Sequence, residues 1–326
     1  MRIFHAIITA ALVFALPMLA HAQDTQAWLQ SQGLEAVDVK SFQEFDAVVA
    51  RTAGAKDAAS GQERVALLKQ GKPVWQSNPR ESEPGSSWKI HSIGRDLDGD
   101  GLPDVHFSSY TGGAHCCTTH HILRLKPQVK RTAVYSAGAV GGTDFIELPN
   151  RKVPIMISAD DAYANAFAPY ANSYFPALVL EVGARGRLQL APDLMVSKLP
   201  GQPPHVCTLP AATANPWLRE RCAEYGTMRR GARTEEIKAK LAALKNGRTA
   251  DKLKWEDYYE SGVLAAVSAE LNRYAYTGHG DAGMSWLETV WPGNDAVKVR
   301  FVTTLRQTQS RSAFAEDLKG LSFGPR

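Results

Sequence analysis

Apolar and polar positions alternate through the middle of the chain and recur at helical spacing towards its end. Trp88-Lys89-Ile90-His91-Ser92-Ile93 alternates with period two, the pattern of a half-buried strand. Upstream, Arg64-Val65-Ala66-Leu67-Leu68 and Val74-Trp75-Gln76 flank Lys69-Gln70-Gly71-Lys72-Pro73, which predicts a hairpin. Downstream, strand-like runs follow at Val105-His106-Phe107, Thr119 to Leu125, Thr132 to Tyr135, Phe145 to Leu148, Val153 to Ser158 and Ala177 to Val182. Gly183-Ala184-Arg185-Gly186 then turns the chain into Arg187-Leu188-Gln189-Leu190. Short strands separated by Gly and Pro turns predict an antiparallel sheet, sandwich or propeller-blade-like unit. Asp24 to Val49 mixes apolar and polar residues without strong periodicity, and Ala53 to Gln62, rich in Ala, Gly and Ser, reads as a loop.

The pattern changes after Pro200-Gly201-Gln202-Pro203-Pro204, which reads as a linker. Trp217 to Tyr225 suits a short helix. Thr234 is an N-cap candidate, with Glu235 and Glu236 where a helix dipole favours acids, and Ile237, Leu241 and Leu244 follow at helical spacing up to Asn246-Gly247. Trp255 to Tyr276 reads as a longer helix with Leu264, Val267, Leu271 and Tyr274 on one face. Asn294 is expected to cap another helix carrying Val297, Phe301 and Leu305. Strands first and helices afterwards predict an α+β fold with segregated parts: a segment over 23–62, a β-rich domain over 63–199 and an α-helical domain over 200–326.

The first residues point to export. Arg2 is followed by an apolar run from Ile7 to Leu16, and Ala20-His21-Ala22 places small residues where a signal peptidase reads. Residues 1–22 are therefore read as a signal peptide, and a periplasmic or secreted location follows. The run is shorter than the roughly 20 residues a membrane span needs, and no later stretch is apolar enough to cross a bilayer. With 44% apolar and 21% charged residues the chain can bury real cores. A formal net charge of +4 is too mild to argue for nucleic acid.

The most specific local signal is Asp96-Leu97-Asp98-Gly99-Asp100-Gly101-Leu102-Pro103-Asp104. Calcium takes hard oxygen ligands, and alternate carboxylates on a tightly turned backbone supply them. Asp96, Asp98, Asp100 and Asp104 are the candidate side-chain ligands, with the carbonyl of Leu102 as a backbone ligand. Four close carboxylates also repel one another unless neutralised. The bidentate Glu that would close an EF-hand loop is replaced by Phe107, and the flanks read as strands. The loop resembles the Asp-x-Asp-Gly-Asp-Gly-x-x-Asp calcium hairpin of FG-GAP and VCBS-type repeats, in one clear copy of about twenty-five residues. Binding is expected to be weak, on the order of the 10⁻⁴ to 10⁻³ M of extracellular modules, and an ion held at that strength is read as structural, a staple of the hairpin.

Just downstream, His115-Cys116-Cys117-Thr118-Thr119-His120-His121 holds five soft-metal donors, a second candidate metal or redox site suited to zinc or copper. In a strand, however, adjacent residues face opposite ways, so Cys116 and Cys117, like His120 and His121, would be split between two faces. Four cysteines in an oxidising compartment suggest disulfides. Cys207 with Cys222 is the preferred pair, a local loop whose closure stabilises by about 3 kcal/mol. Cys116 and Cys117 would then form a vicinal disulfide, stay reduced or bind something. Asp160-Asp161 could form a paired acid site or simply end a strand, and His279 is placed in the joint between two helices. Gly-x-Ser-x-Gly, His-Glu-x-x-His and phosphate-loop patterns do not occur. The leading expectation is a non-catalytic binding or structural module of the cell envelope with a protein or glycan partner. The alternative is an exported enzyme or transition-metal handler using the His/Cys cluster.

Overall fold

The computed structural model describes residues 23–57, 61–78, 85–113, 116–183, 186–210, 214–226, 230–246, 248–249, 252–293 and 295–322. The segment read as a signal peptide, His115 and Asn294 lie outside them. The protein is α+β, with antiparallel sheets in its N-terminal part and helices in its C-terminal part. It forms two compact units that part between Ala139 and Val140.

The first unit opens with a helix, α1, over residues 23–31. Among the described residues, eight strands follow in two sheets. One contains β1 (Leu34–Phe42), β2 (Phe45–Thr52), β3 (Glu63–Lys69) and β4 (Lys72–Gln76) in that order. The other contains β5 (Ser87–Arg95), β6 (Asp104–Gly113), β7 (Cys116–Arg124) and β8 (Lys130–Gly138), again as a meander. Phe45, Ala47, Val49, Val65 and Leu67 from the first sheet share one core with Trp88, Ile90, Val105, Phe107 and Leu123 from the second. On the far side of β2 and β3, Val48, Ala50, Ala66 and Leu68 pack with Leu29 of α1 and Leu34.

The β1–β2 hairpin was not legible in the periodicity. Residues Phe45 to Ala50 are buried in succession because β2 has a packed layer on both faces, which removes the alternation. The expected hairpin at 64–76 is present, and it turns at Gln70 and Gly71, both with positive φ, as a two-residue hairpin turn requires.

The second unit carries a three-stranded antiparallel sheet, β9 (Met156–Ala159), β10 (Ala177–Gly183) and β11 (Arg187–Leu190), with β10 central. These strands stand with the helices rather than with the larger sheets, unlike the division at 199/200 expected from sequence. Strand β9 also bridges to Gly142 through Ser158, and β11 is tied to the last described helix by Asp317, which accepts from Arg187 at 2.8 Å and from the Leu190 N–H at 3.2 Å. Among the described residues the α-helices of this unit are α2 (Pro192–Met195), α3 (Pro216–Gly226), α4 (Arg230–Lys245), α5 (Trp255–Glu260), α6 (Val263–Ala275), α7 (Gly280–Val290), α8 (Ala296–Arg311) and α9 (Ala315–Ser322).

Three helix limits differ from expectation. The 255–276 helix is broken at Gly262, whose φ of 73° ends α5 and starts α6. Helix α4 begins at Arg230, and Thr234 accepts from the Trp286 indole instead of capping. Asp295 caps α8, accepting from the Lys298 N–H at 2.8 Å. Cys207 and Cys222 form a disulfide with their Cα atoms 5.5 Å apart. Among the described residues no helix is long and apolar enough to cross a membrane.

Candidate metal centres

The β5–β8 sheet sorts its side chains by parity. On β6, Val105 and Phe107 enter the core while Asp104, His106 and Ser108 point to the opposite face. Directly across the ladder on that second face, Asp104 is opposite Arg124, His106 opposite Ile122, and Ser108 opposite His120, which in turn is opposite Tyr135. The β5–β6 register slips at His91, a bulge that places this extra residue beside His106 and Ser108. Lys40 donates to the carbonyls of Ile90 and His91 at 2.9 and 3.1 Å, satisfying backbone groups at the bulge. A second slip surrounds Gly94, with φ of 90°, where a Cβ would run into the Phe42 ring. The chain then enters the acidic loop.

Within the loop the carboxylates first hold the backbone. Asp96 accepts from the N–H groups of Gly99 and Gly101 at 2.7 and 2.9 Å, Asp98 from Asp100 at 3.1 Å, and Asp100 from Leu102 at 2.8 Å. Gly101, with φ of 86°, permits the turn. Asp104 is fully buried. Its Oδ2 accepts from the Leu97 N–H at 2.8 Å, and its Oδ1 has no hydrogen-bond partner among the described residues. Burial drives the Asp104 carboxyl up to about 7; the Leu97 bond opposes this, and the charges of Asp98, Asp100 and Asp96 add to the rise.

Asp96, Asp98 and Asp104 each bring an oxygen within 4.8 Å of the others. Asp100 lies instead against Arg124, whose guanidinium stands 2.6 Å from Asp100 and 2.9 Å from Asp98. Arg124 supplies part of the neutralisation that the four aspartates require. Nothing near the loop in sequence announces it, because strand pairing across from Asp104 brings it there.

The second cluster differs in membership from the sequence expectation. His115 and the side chain of Cys116 lie outside the described residues. Cys117 is disulfide-bonded and offers no thiolate. His121 points to the core face, its ring 5.1 Å from that of Trp88. Among the described members of the five, His120 joins a cluster, and its companions are His91 and His106 from the two preceding strands. The alternation in Trp88–Ile93 and Val105–Phe107 could have placed His91 and His106 on polar faces, but not together.

The three imidazoles are close-packed. His106 Nε2 lies 2.9 Å from His120 Nδ1, and the His91 ring stacks on His106 with centroids 4.2 Å apart. His91 Nε2 is 2.7 Å from the Ser108 hydroxyl, and His120 stacks on Tyr135. His106 and His120 are buried, and His91 is half-buried on the edge strand. Burial holds His106 well below the ordinary imidazole range, and positive charge on His91, His120, Arg95 or His121 would push it the same way.

Asp160 and His279 are held by hydrogen bonds. Asp160 accepts from the Ala162 N–H at 3.1 Å and from the Tyr276 hydroxyl at 2.5 Å, so it caps a turn and anchors a buried tyrosine. His279 stands at the N-terminus of α7, its Nε2 3.0 Å from the Ser197 carbonyl oxygen. No protein-family model matches the chain, and neither curated proteins nor solved structures include a significant match to it.

Proposed function

We propose that this chain is an exported, non-catalytic binding or structural module of the cell envelope whose Asp96–Asp104 loop holds a structural calcium ion. The observation that carries the calcium reading is Asp104. A fully buried carboxylate with an oxygen lacking a hydrogen-bond partner among the described residues, beside two further carboxylates, is costly unless a proton or a cation satisfies it. Asp96, Asp98 and Asp104 are the inner ligands in this reading. Asp100 and the Leu102 carbonyl complete the shell once Arg124 yields to the ion. The ion would staple the β5–β6 connection, fixing the two strands that flank it.

Export is supported by the signal-like N-terminal pattern and by the Cys207–Cys222 disulfide, which persists in oxidising compartments. A periplasmic or secreted location follows, with an envelope protein or glycan as the partner class. The test is thermal or chemical melting of the chelator-stripped full chain with and without calcium. A site of Kd about 10⁻⁴ to 10⁻³ M should add about 0.4–1.4 kcal/mol at about 1 mM calcium. Asp98→Ala with Asp100→Ala should lower the melting temperature and abolish the calcium increment. A wild-type melting curve that does not respond to calcium would remove the assignment.

A further inference from the structure

We propose a second metal site, for a zinc-class divalent cation, formed by His91, His106 and His120 on adjacent strands of the β5–β8 sheet. It does not rest on the calcium reading. One nitrogen from each ring lies within 4.8 Å of the others. Around a tetrahedral zinc with bonds of about 2.0–2.1 Å, neighbouring nitrogens are about 3.3 Å apart. The widest gap must therefore close by at most about 1.5 Å, within reach of side-chain torsions alone. The 2.9 Å approach of His106 to His120 must open slightly.

The donor set selects the metal. Three imidazoles suit zinc, copper or nickel, whereas calcium and magnesium prefer oxygen, so this cluster and the acidic loop at Asp104 sort different ions. The ligands stand on three hydrogen-bonded strands, so the ion has little chain to order on binding. Ser108 fixes the orientation of the His91 ring, the outer-shell contact that metal-binding histidines use. His91 sits at a bulge on an edge strand and is half-buried, which gives an ion a route to two otherwise buried rings. Three protein ligands leave a fourth position for water, the arrangement of an exchangeable rather than a closed structural site.

The experiment titrates the chelator-stripped full chain with Zn²⁺ by calorimetry in millimolar calcium, which occupies the acidic loop. A separate metal-free sample takes Co²⁺ as a spectroscopic probe, and ring-nitrogen NMR of the zinc titration reports which histidines respond. The expected result is one zinc per chain, a visible Co²⁺ d–d band of a four- or five-coordinate site, and ring shifts at His91, His106 and His120. Half-buried His91 tolerates replacement, and His91→Gln should weaken zinc by at least roughly 100-fold, since even outer-shell losses cost 10- to 100-fold. His121→Gln, on the core face, should keep the wild-type zinc affinity. The Asp98→Ala, Asp100→Ala variant should keep it too, so failure of the calcium reading and failure of this one are separable. Substoichiometric zinc in the wild type, unchanged affinity in His91→Gln, or ring shifts confined to other histidines would overturn the proposal and leave the three rings a hydrogen-bonded stack.

Discussion

Stripped of calcium, the wild-type chain should gain stability from Asp104 as the solution is made mildly acidic. The carboxyl titrates near its ordinary 3.8 in the unfolded chain and at about 7 in the folded one. Between those values the folded state holds a proton that the unfolded state has released. Stability from this group is therefore present in acid and is lost as pH rises through about 7. The full difference corresponds to about 4 kcal/mol, and the part recovered between about pH 7.5 and about pH 5.5 is about 2 kcal/mol. Urea denaturation across that range, in wild type and Asp104→Asn, isolates the effect, because other titrating groups are common to both. The wild-type minus variant stability should rise by about 2 kcal/mol on acidification in chelator. In saturating calcium the rise should vanish or reverse, because the ion holds the carboxylate charged. Parallel pH profiles for wild type and Asp104→Asn, or a profile indifferent to calcium, would refute the assignment of a buried, ion-satisfied Asp104.

Arg124→Gln removes the guanidinium that competes for Asp98 and Asp100, so calcium affinity measured by calorimetry should rise several-fold while the calcium-free protein melts earlier. Phe107→Ala empties a fully buried site in the core shared by the two larger sheets and should cost about 3–5 kcal/mol in chemical denaturation. Cys207→Ser with Cys222→Ser opens a loop spanning 15 positions and should cost about 3 kcal/mol, read as an earlier unfolding transition in non-reducing buffer.

Some features of this chain are local and could be read directly. The strand at Trp88–Ile93, the hairpin around Gln70-Gly71 and the acidic turn each depend on residues within about ten positions, where alternation, positive-φ residues and carboxylate spacing act. The Cys207–Cys222 pairing is nearly as local. Periodicity says which face a side chain takes but not which strand lies beside it. The grouping of His91, His106 and His120, the opposition of Arg124 to Asp104, and the exile of His121 to the core side were therefore decided by pairing register and by one bulged residue. A related limit hid β2, because a strand packed on both faces loses its alternation. By itself the sequence determined the kinds of donor present and the succession of a strand-rich part by a helix-rich part. Only the tertiary structure decided which donors meet, because hydrogen-bonded register joins residues that the chain keeps far apart.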